Sequence, residues 1–262
     1  MQTLSVFLAS LAILRRSISV WLFAAIVVLF AAITSLSDDL DSPLICLAAV
    51  SSLLSIVAMV PLIIAAENGR KNLPFHVTQL KGLNLALVVR LILLSITLTL
   101  LFLLFSAIWV LLRRLTGLDP ESSLDWFLRA VLLVPLGQAV AAFALCGVAI
   151  SGLPPLKSAT NALLISLNNF PRLVLLLVPI ELLTLLIYGL GRLLADGLGA
   201  ACSAPVGSQV ACPSPFAIAA LWAYSGLGRL VLQALGAVLF VVAYSVFTGK
   251  EQYPWLQVRP AA

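Results

Sequence analysis

"VPIELLTLLIYGLGRLL", residues 178–194, is apolar almost throughout, yet it carries a carboxylate, Glu181, close to its middle. About 20 apolar residues in an α-helix cross a hydrocarbon core of about 30 Å. The thirteen Leu, Ile and Val residues between 173 and 190 contribute roughly 4–8 kcal/mol to insertion, against about 2.5–3.5 kcal/mol for a charge at the helix centre. The segment therefore enters the bilayer despite Glu181, and the rest of the chain is to be read as a membrane protein.

Composition agrees. Of the 262 residues, 62% are apolar and 10% charged, and the mean hydropathy of +1.16 lies far outside the soluble range. Windows of about 20 apolar residues predict six spans, near 18–36, 43–66, 91–112, 130–152, 172–193 and 216–246. The fold class expected is all-α, a polytopic bundle forming a single transmembrane domain over 1–262. The net charge of +5 belongs to cytoplasmic loops, which collect Lys and Arg. No basic stretch alternates with aromatics, which argues against nucleic acid as a partner.

Placing the N-terminus inside puts Arg15, Arg16, Arg70, Lys71, Lys81, Arg90, Lys157, Arg172, Lys250 and Arg259 on the cytoplasmic side. Arg113, Arg114, Arg129 and Arg192 fall opposite, with Asp38, Asp39, Asp41, Asp119, Glu121, Asp125 and Asp196. The positive-inside rule thus predicts that both termini are cytoplasmic. Cys202 and Cys212 lie in the outer loop between spans five and six. A disulfide there would close a short loop worth roughly 2–3 kcal/mol; the alternative is two thiols that never pair. Cys46 and Cys146 read as small apolar residues inside spans.

A repeat organises the chain. Three times a short, mostly apolar stretch meets a polar break and continues into a span: "TLSVFLASLAILRR", "LKGLNLALVVR" and "LKSATNALLISLNNFPR". The breaks near 15, 90 and 168 recur at about 76 residues, giving units of approximately 1–73, 74–153 and 154–262. Each unit is expected to open with an interfacial helix and then form a transmembrane hairpin. The joints "AAENGRKNLPF", "AISGLPPLKS" and "SVFTGKEQYPW" each pair a Gly with a following Pro, a mechanical stop for a helix.

At these joints the chain resembles the bacterial six-helix membrane domain found ahead of some glycerophosphodiester phosphodiesterases, and related stand-alone membrane proteins. The resemblance implies architecture and a bacterial inner membrane, and nothing catalytic. The phosphodiesterase site is built from acidic and His metal ligands on a soluble segment, whereas this chain has one histidine, His76.

Searches for chemistry return little. H-E-x-x-H, G-x-S-x-G, the phosphate-binding G-x-x-x-x-G-K-[ST] and C-x-x-C are all missing, so no cofactor, metal or reaction is implied. His76 and Glu67 read as interfacial residues at headgroup level, and Asp125 as an edge residue of an outer loop. One polar cluster stands out by depth. Glu181 of span five, Arg229 and Gln233 of span six and Gln138 of span four all fall near their span midpoints. Glu181 and Arg229 are expected to form an intramembrane ion pair, with the glutamines satisfying spare donors and acceptors. Small residues at Gly137, Ala141, Ala142, Cys146, Gly226, Gly228 and Gly236 favour close helix contact around it. The function expected is non-enzymatic: a membrane scaffold or accessory subunit binding lipid or other membrane-protein subunits. The alternative is a transporter or permease subunit with a midplane polar pathway.

Overall fold

The computed structural model describes residues 2–37, 45–76, 85–117, 122, 125, 134–197 and 215–249. Its elements are all helices: α1 (Gln2–Arg16), α2 (Ile18–Ser37), α3 (Ile45–Arg70), α4 (Leu85–Thr116), α5 (Val134–Ser151), α6 (Pro155–Asn168), α7 (Phe170–Gly197) and α8 (Pro215–Phe247). Four stretches are long and apolar enough to cross a membrane alone: Leu53–Arg70, Leu85–Thr116, Phe170–Asp196 and Phe216–Phe247. The α1–α2 pair, bent by 92° at Ser17, supplies a fifth if taken as one broken span, and α5 is a shorter apolar helix.

The first expected break is real. Hydrogen bonding continues around the corner, Ser17 N–H donating to Ile13 O at 3.0 Å and Val20 N–H to Ser17 O at 3.2 Å. The Trp21 indole N–H donates to Leu14 O at 3.0 Å, satisfying a carbonyl that the end of α1 leaves without a helical donor. α1 buries Val6, Ala9, Ser10, Ile13 and Leu14 and exposes Leu4, Leu8 and Leu11, a one-sided stripe suited to lying against the bundle. The third break is also real, at Asn169, whose backbone N–H and side-chain amide both donate to Ile165 O. Pro171 follows in the first turn of α7, where its missing N–H costs nothing.

The second break is not found. Arg90 lies inside α4, which runs unbroken from Leu85. "LALVVR" contains no residue that stops a helix, and a charge alone does not, because a long side chain can reach the headgroups from within one. The threefold repeat therefore does not hold as drawn.

The joints also differ in detail. Gly152 and Gly249 adopt left-handed φ values of +63° and +65° after α5 and α8, as helix-ending glycines do. At the first joint that role falls to Asn72 (φ 55°), with Leu73 N–H donating to Asn68 O at 2.9 Å. Gly69 instead stays helical and admits Ile13 and Ser17 against α3, leaving no room for a side chain.

α8 is the central helix. It packs on α1, α2, α3, α5 and α7, and 56% of its apolar window is buried, against 11% for α4 and 17% for α7. Phe143 of α5 is fully buried against the rings of Phe240, Tyr244 and Phe247, with centroids 5.9–6.1 Å away. α5 and α6 meet where Ser158 Oγ donates to Ala144 O at 2.7 Å, directly over Gly147, whose position has no space for a Cβ.

Gly147→Ala should therefore lose about 1–3 kcal/mol of stability by overpacking. Gly236→Ala meets nothing within 4 Å and should be neutral or gain up to about 1 kcal/mol from helix propensity. Thermal unfolding of the two variants in detergent checks the contrast.

Candidate functional site

The four midplane residues do not form one cluster. Gln138 and Gln233 share a cavity of about 330 Å³ between α3, α5, α7 and α8, together with Met59 and Cys146. Its walls are otherwise apolar, and the Gln233 side-chain amide donates to Met59 Sδ at 3.0 Å. Glu181 lies on an exposed face of α7, and Arg229 is exposed and borders different cavities. The expected Glu181–Arg229 ion pair is not formed: neither residue makes a hydrogen bond or an ion pair.

The register between α7 and α8 explains why. Gly228 receives Ile187, a Cβ there falling 2.6 Å from its Cγ2, and Gly191 receives Tyr224, at 3.0 Å from its Cε1. This antiparallel pairing sets Glu181 level with Ala234 and Arg229 level with Leu186, about 7 Å apart along the axis. Span midpoints matched the two residues, whereas the glycine contacts offset them.

Those contacts come from a motif the span count passes over. "GLGR" occurs twice, at 189–192 in α7 and at 226–229 in α8. The helices cross at these segments in a locally two-fold manner: the residue two before each motif, Ile187 or Tyr224, packs on the second glycine of the other. The Tyr224 hydroxyl further donates to Ile187 O at 2.7 Å. The same symmetry brings the two motif arginines, Arg192 and Arg229, to one cleft of about 590 Å³, which Tyr188 and Ser225 also line. No carboxylate lines it. Among the described residues neither arginine makes a hydrogen bond or an ion pair, including Arg192 with Asp196 one turn away. Arg229 also edges a second cavity, of about 290 Å³, between α2 and α8, beside Trp222.

Two acidic residues read as solvated turn out to be structural. Glu67 is 8% exposed. It accepts from Arg70 Nε at 2.6 Å, with a second bond from Nη2, and pairs with Lys71 Nζ at 3.2 Å. Asp125, 1% exposed, accepts from the Trp109 indole at 3.1 Å and lies 3.7 Å from Arg113 Nη1, so it is a buried partner of α4 and not an edge residue. His76 is exposed, and no group of three or more His, Cys, Asp or Glu side chains that could hold a metal ion occurs among the described residues. Cys202 and Cys212 lie outside the described residues.

No protein-family model, curated protein or solved structure matches this chain.

Glu67→Gln replaces the buried ion pair with Arg70 by a neutral hydrogen bond and should cost roughly 1–3 kcal/mol. Glu181→Gln removes a charge with no partner and should change stability by less than about 0.5 kcal/mol. Detergent melting curves of the two variants, compared with the parent, separate these outcomes.

Proposed function

We propose that this chain is a non-enzymatic integral membrane protein, a scaffold or accessory subunit that binds membrane lipid or other membrane-protein subunits. In this reading it crosses a bacterial inner membrane six times with both termini cytoplasmic. The observation that carries the reading is the allocation of surface. α4 and α7 are long, apolar and largely uncovered by the rest of the bundle, so lipid or a partner's helices must cover them. The clefts beside α8 are walled mainly by apolar side chains with few polar groups, as suits an amphiphile or a packed helix.

Six crossings follow if α2, α3, α4, α5, α7 and α8 each traverse the bilayer, with α1 and α6 at the cytoplasmic surface. Arg15, Arg16, Arg70, Lys71 and Lys157 then share that side, as the positive-inside rule requires. The transporter reading draws on one feature, the pairing of Gln138 and Gln233 in a single cavity. Glu181 and Arg229 add nothing to that cavity, so a continuous polar pathway gains no support from them.

Two measurements test the proposal. Green fluorescent protein fused after residue 262 should fluoresce, and alkaline phosphatase fused there should be inactive; the reverse would invert the topology. A photo-crosslinking residue at Leu100 or Leu104 of α4, both exposed, should yield adducts with lipid or with one discrete membrane polypeptide. Solute flux in proteoliposomes that disappears in Gln138→Leu and Gln233→Leu would replace the scaffold reading with transport.

A further inference from the structure

We infer that the α7–α8 cleft is a binding site for an anionic phospholipid, its phosphate held by Arg192 and Arg229. This deepens the lipid-binding reading above and rests on it. The two arginines reach the cleft through the paired GLGR crossing, and each lies three residues beyond its first glycine on an antiparallel helix. They are thus separated by about six helical rises, or about 9 Å, along the axis, a span two arginine side chains can close upon one anion. Each guanidinium offers five donors in a planar fork suited to phosphate oxygens, and neither has a partner among the described residues. The net charge of the cleft's lining is positive, and among the described residues no carboxylate lines it.

Depth favours a lipid over a free ion. Arg192 lies five residues before the end of α7, which puts it at headgroup level. Arg229 sits deeper and can extend towards the surface by snorkelling. Ile187, Leu221 and Leu232 line the cleft, an apolar wall along which acyl chains can lie. Tyr188, 69% exposed, and Ser225 supply hydroxyls at the rim. Tyr224 is committed to Ile187 O and serves as wall. The shared chemistry of the candidate ligands is a phosphate; the lipid arm adds chains and a fixed depth.

The test is thermal stability of the full chain in detergent, titrated with phosphatidylglycerol, phosphatidylcholine or inorganic phosphate. Phosphatidylglycerol should raise the melting temperature of the parent well beyond phosphatidylcholine, and inorganic phosphate should have little effect. Arg192→Gln and Arg229→Gln should each weaken the apparent phosphatidylglycerol affinity roughly tenfold or more, with Arg→Lys at either site keeping part of it. Both arginines are exposed, so the substitutions remove no core packing; if a Gln variant fails to fold, the Lys variant must still bind more weakly than the parent.

Equal responses to phosphatidylglycerol in the parent and the double Gln variant would overturn the site, as would equal responses of the parent to the two lipids. Stabilisation by inorganic phosphate as strong as that by phosphatidylglycerol would overturn the lipid assignment in favour of a soluble anion. A protein stabilised by both lipids regardless of the arginines keeps the general lipid-binding reading and loses only this site. One that responds to no lipid, and gives no lipid adduct at α4, loses both.

Discussion

Hydrocarbon offers no hydrogen-bond partners, so every backbone N–H and C=O within it must be satisfied by the protein itself. The α-helix does this within a single segment, and the described elements are all helices. The same constraint governs the places where helices stop. Trp21 closes the end of α1, Asn72 takes a left-handed turn after α3, and Asn169 binds back to Ile165 with main chain and side chain. Each device supplies a donor to a carbonyl left open at a helix end.

Once the backbone is satisfied, the helices need a reason to associate, since lipid tails solvate leucine as well as another leucine does. Close approach through small residues provides it. Gly69 admits Ile13 and Ser17, Gly147 lies beneath Ser158, Gly137 receives the ring of Phe102, and Gly228 and Gly191 interlock with Ile187 and Tyr224. Larger side chains then fill the centre, Phe143 among three rings of α8 being the clearest case. Polar contacts add to this at helix ends, Glu67 with Arg70 within α3 and Asp125 with Trp109 of α4.

Much of the span pattern was legible in the amino-acid order because hydropathy reports directly on transfer to lipid. The corner near Arg16 and the break near Asn168 were legible too, and the boundaries of α2, α3, α7 and α8 lie close to the expected ones. Arg90 was misread because a polar residue was taken for a stop, when α4 had nothing in its local chemistry to end it. Depth along a helix can be counted from sequence, and of the four residues so matched Gln138 and Gln233 line one cavity. The pairing register of two helices cannot be counted when nearly every residue is apolar; hence Glu181 and Arg229, matched by span midpoints, lie about 7 Å apart along the axis. Glu67 was misjudged because its burial depends on tertiary packing, which hydropathy along one segment does not report. The doubled GLGR was present in the sequence throughout, but only the crossing geometry gives it meaning.

The right-angle corner at Ser17 turns α1 across the line of α2. α2 passes into the bundle while α1, about 22 Å long, extends sideways across one end of it, against α3, α7 and α8. With the corner at a membrane surface, that helix displaces headgroup area in one leaflet and none in the other. The protein is then a wedge, and a wedge relaxes lateral stress best where the bilayer is already bent to accommodate it. Its distribution within a membrane would consequently follow local curvature as well as lipid chemistry.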